Sequence, residues 1–402
     1  MKKSKVFVFL GVLVVVFSSA KLFNLAAGIK VGHIAGIILM ASLVVVYPFV
    51  IKTKGAAFFS AVIAVSVSMQ AIAVVSDVSL LDGKYSMKYY YWIVFALMGY
   101  AFTACIGLRR LERTLKIATL AVFCAVFLKN LVYVGEISQM LLSSADHPRS
   151  PWNFFNVGYN INSEVTWLCL LSFLFAFKSR LYTGIFVYAL VNALVSYVIG
   201  ALLLNALFLA YVVLFRFSGL VRNLLLLALT AVSLVLALSV SLEQADELGS
   251  GRIDLWALAL GELSQFSGLQ FLFGLGHGAL HELLYLNFEL LDFHNVWLNL
   301  LYEGGVVSVA YFALLIIPSI VYLLKNASRT GGFDVRLSLV VTLVIINGLF
   351  TPRPLDLLFA FLAGAALCLS LLPRRRLNFS DLGPASIGAG RPPTAAFSAL
   401  KF

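Results

Sequence analysis

The sequence predicts an all-α fold, a polytopic membrane helical bundle of about 12 transmembrane helices with one main exported loop carrying short helices. Three observations predict it. Hydrophobic residues make up 61% of the 402-residue chain and charged residues only 12%, against roughly 45–50% and about a quarter in soluble globular domains. The apolar residues fall in repeated runs of roughly 18 to 24, the length a helix needs to cross a ~30 Å hydrocarbon core. Charges fall mostly in the gaps between runs, and the short alternating segments of a transmembrane β-barrel are not seen. Little chain remains for a soluble catalytic domain, so any chemistry must sit in loops or between helices.

Taken in order, the apolar runs cover 6–24, 31–51, 55–76, 89–107, 117–135, 163–177, 181–197, 199–215, 223–242, 296–324, 337–350 and 355–372. The seventh and eighth come from one continuous stretch, Tyr182 to Phe215, which is too long for a single span and divides near Gly200 into a tight hairpin. Residues 1–242 thus read as a transmembrane bundle of about nine spans, 243–293 as the main exported loop, and 294–372 as the C-terminal spans. Residues 373–402, rich in Pro, Gly, Ser and Ala, read as a disordered cytoplasmic tail. The start, MKKSKVFVFLGVLVVVFSSAK, also fits a cleavable signal peptide, with its basic head, apolar centre and small-residue ending. Cleavage after Ala20 would leave the orientation of the later spans unchanged.

The basic residues orient the bundle. With a cytoplasmic amino terminus, the inner segments hold Lys2, Lys3, Lys5, Lys52, Lys54, Arg109, Arg110, Arg113, Lys116, Lys178, Arg180, Arg216, Arg222, Lys325, Arg329, Arg336, Arg374, Arg375, Arg376, Arg391 and Lys401, which is 21 of the 29. The opposite side takes Lys21, Lys30, Lys84, Lys88, Arg149, Arg252 and Arg353, and Lys129 falls inside a span. This is the positive-inside pattern, so the net charge of +11 marks topology rather than nucleic-acid binding. The four cysteines, Cys105, Cys124, Cys169 and Cys368, lie singly in apolar stretches with no CxxC or Cys/His spacing, which excludes a disulfide framework or zinc site as the organising feature.

Two exported loops exceed about fifteen residues, near Glu136 to Ser163 and near Glu243 to Phe293. The second carries an acidic Gly-flanked stretch, LEQADELGSGR, then an amphipathic segment, IDLWALALGELSQF, then a Gly-rich turn, FLFGLGHGAL. Leu255, Trp256, Ala259, Leu260 and Leu263 recur at helical spacing, which predicts a helix lying at the interface or packed on the bundle. Arg252 opens it, and an arginine just outside the bilayer can hold a phosphate bidentately at any relevant pH; its bland reading is an interface anchor or a partner of Asp254. The FGLGHG glycines permit either a close approach to a ligand or an ordinary turn.

The loop ends in FHNVWLNLLYEGG, where His294 and Asn295 stand at the outer mouth of a span. A histidine there titrates near neutral pH and can act as a general base. Asn295, Asn299 and Glu303 follow at one-turn intervals and form a polar stripe on an apolar helix, a costly arrangement in a membrane. Lys129, Asn130 and Glu136 interrupt the fifth run, Arg149 sits in DHPRSPWNFFN, and Arg353 sits in TPRP between the last two runs. Three exported arginines on the face that carries His294 favour an anionic lipid-phosphate ligand. His277 and His281 are spaced to share a helix face, but no HExxH or third ligand accompanies them, and the reading is metal-free.

The order SGRIDLWALAL, then LFGLGHG, then FHNVWLNLLYEGG resembles the O-antigen ligase and polymerase superfamily, membrane-embedded glycosyltransferases of GT-C-like helical fold. The ligases carry His, then Asn, Ser or Gln, nine residues, Gly, two residues and Gly. Here His294 and Asn295 are followed after nine residues by Gly305, and Ser308 stands in place of the second glycine. The resemblance covers about sixty residues closely and agrees in topology over the chain. It implies metal-independent, inverting transfer of O-polysaccharide from undecaprenyl diphosphate to lipid A-core oligosaccharide at the periplasmic face of the bacterial inner membrane, in lipopolysaccharide biosynthesis, without a cofactor. It implies His294 as the general base and Arg252 as a diphosphate ligand; Asn295 and Glu303 would orient the histidine or bind sugar hydroxyls. The family's further arginine, in a Ser-Arg-Gly-like turn, has no counterpart in SYVIGALL, which leaves Arg149 or Arg353 for the second phosphate contact. A polymerase using the same lipid-linked donor is the alternative within the family, and a lipid or polysaccharide transporter the alternative from another class.

Overall fold

A glycine pair lets two helices approach closely. In the computed structural model, which describes residues 2–20, 31–46, 64, 83–132, 158–195, 201, 202, 204, 206, 208, 210, 221, 252–276, 279, 280, 283, 284, 293, 295–326, 332–348 and 356–371, α3 (Gly83–Ile106) and α11 (Leu357–Leu371) cross where a Cβ on Gly99 would strike the Phe361 carbonyl and one on Gly364 the Ala96 carbonyl. Small residues that let backbones touch are the usual device where dispersion rather than water exclusion must hold helices together. Phe102 and Phe361 flank the crossing, their rings 5.7 Å apart.

The described elements are all α-helices, with no strand among them. Before α3 come α1 (Lys2–Ala20) and α2 (Val31–Val46). After it come α4 (Leu108–Val132), α5 (Gly158–Phe173) and α6 (Arg180–Val195). Two short helices, α7 (Arg252–Leu263) and α8 (Gly268–Phe273), lead to α9 (Val296–Lys325) and α10 (Phe333–Asn347). α1 packs on α2 and α4, α5 on α6, and α9 on α10 and α11. One core runs through the bundle, with Trp167, Phe95, Phe173 and Phe312 among its fully buried rings.

Several boundaries differ from the sequence reading for identifiable reasons. The basic stretch Arg109 to Lys116, expected as a loop before a span at 117, forms the first turns of α4, because Gly107 at φ 80° makes the corner alone. The apolar residues Leu111 and Leu115 bury one side of those turns, and Glu112 pairs with Lys116 at 2.9 Å on the other. Arg336, counted among the inner flanking charges, is itself buried against the end of α5. All of the run at 55–76 except residue 64, the run at 223–242, most of 199–215, and the tail 373–402 lie outside the described residues.

Of the described helices, α9 alone is long and apolar enough to cross a membrane by length and composition; Lys5–Ser18, Ile34–Leu43, Tyr91–Ile106, Glu164–Phe173, Arg180–Leu194 and Leu357–Leu371 are apolar but shorter.

Side-chain hydrogen bonds join helices inside the bundle. Asn130 on α4 donates to Tyr188 Oη and to Asn192 Oδ1 on α6, both at 2.6 Å. Trp167 on α5 donates to Asp356, just before α11, at 3.1 Å. Such bonds contribute about 1 kcal/mol each between helices, enough to fix register between α4 and α6.

Candidate functional site

The site is built around the start of α9. Asn295, in extended backbone, caps the helix: its side-chain oxygen accepts from the Trp297 and Leu298 backbone N–H groups at 3.0 and 3.2 Å. These are two of the donors that every helix start leaves without a partner. The Val296 N–H donates across to the Gly348 carbonyl at the end of α10, at 2.8 Å. Asn295 was read as orienting the histidine or binding sugar; its side-chain oxygen is committed to the cap.

The residue before His294 is held from two directions. The Phe293 N–H donates to Asn299 Oδ1 at 3.1 Å, and the Phe293 carbonyl accepts from the Trp256 indole N–H on α7, also at 3.1 Å. Its ring is fully buried and meets Tyr302 edge-on at 5.6 Å. Phe293 belongs to a second apolar cluster, with Ala259, Leu263, Leu280, Leu284 and Tyr302, that glues α7 and the segment after α8 to the first turns of α9. On α7, Leu260 departs from the expected buried stripe and is exposed, while Leu258 packs against the cluster.

After nine intervening residues, 296–304, α9 breaks. Gly305 has φ 62° and ψ −168°, a conformation essentially reserved for glycine. The break removes the i+4 partners of the carbonyls just before it, and the Gly-rich turn supplies replacements: the Leu275 N–H donates to the Tyr302 carbonyl and the Gly276 N–H to the Glu303 carbonyl, each at 2.9 Å. The turn's glycines therefore approach α9 itself, where the sequence left open a ligand. Asn299 and Glu303, 1% and 6% exposed, lie in the short segment 296–304 before the break, so Glu303 precedes the long apolar stretch where it was expected to lie within it. Ser308, in the place of the second motif glycine, is fully buried, and its Oγ has no hydrogen-bond partner among the described residues.

Of the candidate residues, Asn295 caps α9 and Glu303 lies about two turns into it, and Arg252 is placed by its backbone as the first residue of α7. Its side chain, and His294, Arg149 and Arg353 altogether, lie outside the described residues, as do His277, His281 and Glu136. Trp256, one turn on from Arg252, ties that helix to the residue preceding His294. Sequence reasoning counted Trp256 as an apolar stripe residue and Asn299 as part of a polar stripe; the signal for both was their spacing from Arg252 and Asn295, which places each one turn into its helix. The chain matches no protein-family model and no curated protein sequence.

Proposed function

We propose that this chain is an O-antigen ligase: a polytopic inner-membrane glycosyltransferase of about twelve spans that transfers undecaprenyl diphosphate-linked O-polysaccharide to lipid A-core oligosaccharide at the periplasmic face. The observation that carries the reading is the break at Gly305. The glycine that stands nine intervening residues after His294-Asn295 occupies a backbone conformation closed to other residues, and the LFGLG turn docks onto it. A spacing that matched the ligase motif by chance would have no reason to coincide with a structural requirement at that position.

Other features favour a membrane location. The part of α9 after the break, 306–325, is about 30 Å long at 1.5 Å per residue, the thickness of a hydrocarbon core. It exposes Leu314, Ile317, Val321 and Leu324 while burying Leu315, Ile316 and Leu323, and a helix apolar all round suits lipid. Segments assigned to the inner face by charge meet one another: Tyr182 donates to the Lys116 carbonyl at 3.0 Å, and Phe175 stacks on Phe333 at 5.7 Å.

In this reading the acceptor sugar hydroxyl loses its proton to His294 as its oxygen attacks the anomeric carbon of the donor. The bond from that carbon to the diphosphate breaks on the opposite side, which inverts the configuration, and undecaprenyl diphosphate departs with the bonding electron pair. Arg252, with Arg149 or Arg353, stabilises the charge that develops on the diphosphate, where a cation already in position avoids the reorganisation that solvent would need. Lipopolysaccharide gels of cells lacking the protein test the proposal. A ligase null gives bare core while long glycan accumulates on its lipid carrier, and wild type but not His294→Ala restores the ladder. Core bearing a single repeat would assign a polymerase, and an unchanged pattern would remove lipopolysaccharide as the acceptor.

A further inference from the structure

The six-residue helix α8 is closed by its own ends yet buries none of its residues. Ser267 and Gln270 form a reciprocal capping box, with the Gln270 N–H donating to Ser267 Oγ at 3.3 Å and the Ser267 N–H to Gln270 Oε1 at 2.8 Å. That box satisfies the helix start without help from the bundle. The apolar side chains it carries point away from protein: Leu269 is 68%, Phe271 47% and Leu272 46% exposed. α8 carries no charged residue, so an acidic or basic protein partner finds no complement on it.

Its position says what would cover it. The Leu272 carbonyl and the Phe273 N–H lie directly against Gly305, which fixes α8 at the level where the 306–325 segment begins. Val306, next in the chain, is itself part-exposed, so the apolar surface of α8 continues onto the outward stripe of α9. We infer that α8 is seated in the headgroup–acyl boundary of the lipid leaflet and anchors the exported loop there, beside the site that a lipid-linked donor must reach. The inference rests on the membrane reading above, and its ligand is the lipid surface rather than a protein. Short apolar helices at such a level enter a leaflet by about 5–10 Å.

Spin labels on the full chain in vesicles of phosphatidylethanolamine and phosphatidylglycerol test this. Leu269→Cys and Phe271→Cys are compared with Ile317→Cys on α9 and Gln265→Cys in the exposed turn before α8, all with Cys105, Cys124, Cys169 and Cys368 replaced by alanine. Labels at 269 and 271 should collide with dissolved oxygen in preference to an aqueous nickel chelate, at a depth shallower than 317, while 265 stays aqueous. Aqueous behaviour at 269 and 271 with 317 in lipid overturns the anchor and leaves the membrane reading intact. Shielding of 269 and 271 from both reagents overturns it in favour of a protein contact, and aqueous behaviour at 317 overturns both. If the cysteine-free background does not fold, Phe271→Trp in the native background gives the same answer: brominated lipid must quench the added emission, and no added quenching overturns the inference.

Discussion

Gly274 and Gly305 share one rare backbone conformation, φ 74°, ψ −173° and φ 62°, ψ −168°, and each lies where a side chain on it would strike the other's segment. A Cβ on Gly305 would meet the Leu272 carbonyl, and one on Gly274 would meet the Glu303 carbonyl and the Gly304 N–H. The two positions form a lock that holds the Gly-rich turn on the break of α9.

Gly305→Ala should therefore open the lock. The left-handed backbone costs a side-chain-bearing residue of order 1–3 kcal/mol, and the collision adds to it because both contacted atoms are backbone. The expected outcome is a lower melting temperature of the detergent-solubilised protein and loss of long-chain lipopolysaccharide in complementation. Gly261→Ala, in α7 with open space around its Cβ position, should lower neither readout, since alanine favours the helix over glycine.

The helical class and the approximate place of each described long helix were legible because the chain's apolar runs are long and its breakers few. Less legible was anything that depends on backbone groups. The motif glycine could be located by counting, but not the reason for it, since a φ of 62° leaves no trace in composition. Gly107 looked like one small residue inside a basic flank, and only its left-handed conformation ends α3 and starts α4 without a loop. The polar stripe of Asn295, Asn299 and Glu303 was visible, but two of its members serve backbone donors, a duty that spacing cannot distinguish from binding a sugar.

Asn299→Leu and Trp256→Phe remove one bond each from the Phe293 backbone, the first from its N–H and the second from its carbonyl. The first leaves a buried N–H without its acceptor, at a cost of about 1–3 kcal/mol, and the second removes a donor, at about 1 kcal/mol. Both should reduce glycan transfer, and Asn299→Asp, which keeps an acceptor oxygen, should retain more activity than Asn299→Leu. Because the two bonds hold the N–H and the carbonyl of one residue, the double variant should lose less than the product of the single losses. Independent, multiplicative effects on a quantitative transfer assay would show that the two side chains act separately.

Gly99→Val addresses the α3–α11 crossing. Its branched side chain would occupy the space of the Phe361 carbonyl, so the helices must part along their tightest contact; overpacking of this kind costs roughly 1–3 kcal/mol or more. Purified variant should aggregate or melt early on size-exclusion and thermal-shift measurements. Gly184→Ala on α6, with nothing within 4 Å of its Cβ position, should be stabilised by up to about 1 kcal/mol through helix propensity.

Arg336 gives the last test, because the residue counted as a cytoplasmic anchor works inside the protein. Its guanidinium donates to the carbonyls of Phe173, Leu174 and Ala176 at 3.3, 3.4 and 2.5 Å, at the C-terminal end of α5, and it sits over the Phe173 ring at 5.8 Å. These are carbonyls that a helix end leaves without donors, and a cation there also meets the negative end of the helix dipole. Arg336→Met keeps the stem but strips the donors, and should destabilise by about 1.5–3 kcal/mol, the range for bonds to a charged group. Arg336→Lys keeps the charge but loses the planar fork that reaches several carbonyls at once, so its melting temperature should fall between those of wild type and Arg336→Met. A methionine variant as stable as wild type would show that the α5 carbonyls find other donors and that Arg336 is held for its charge alone.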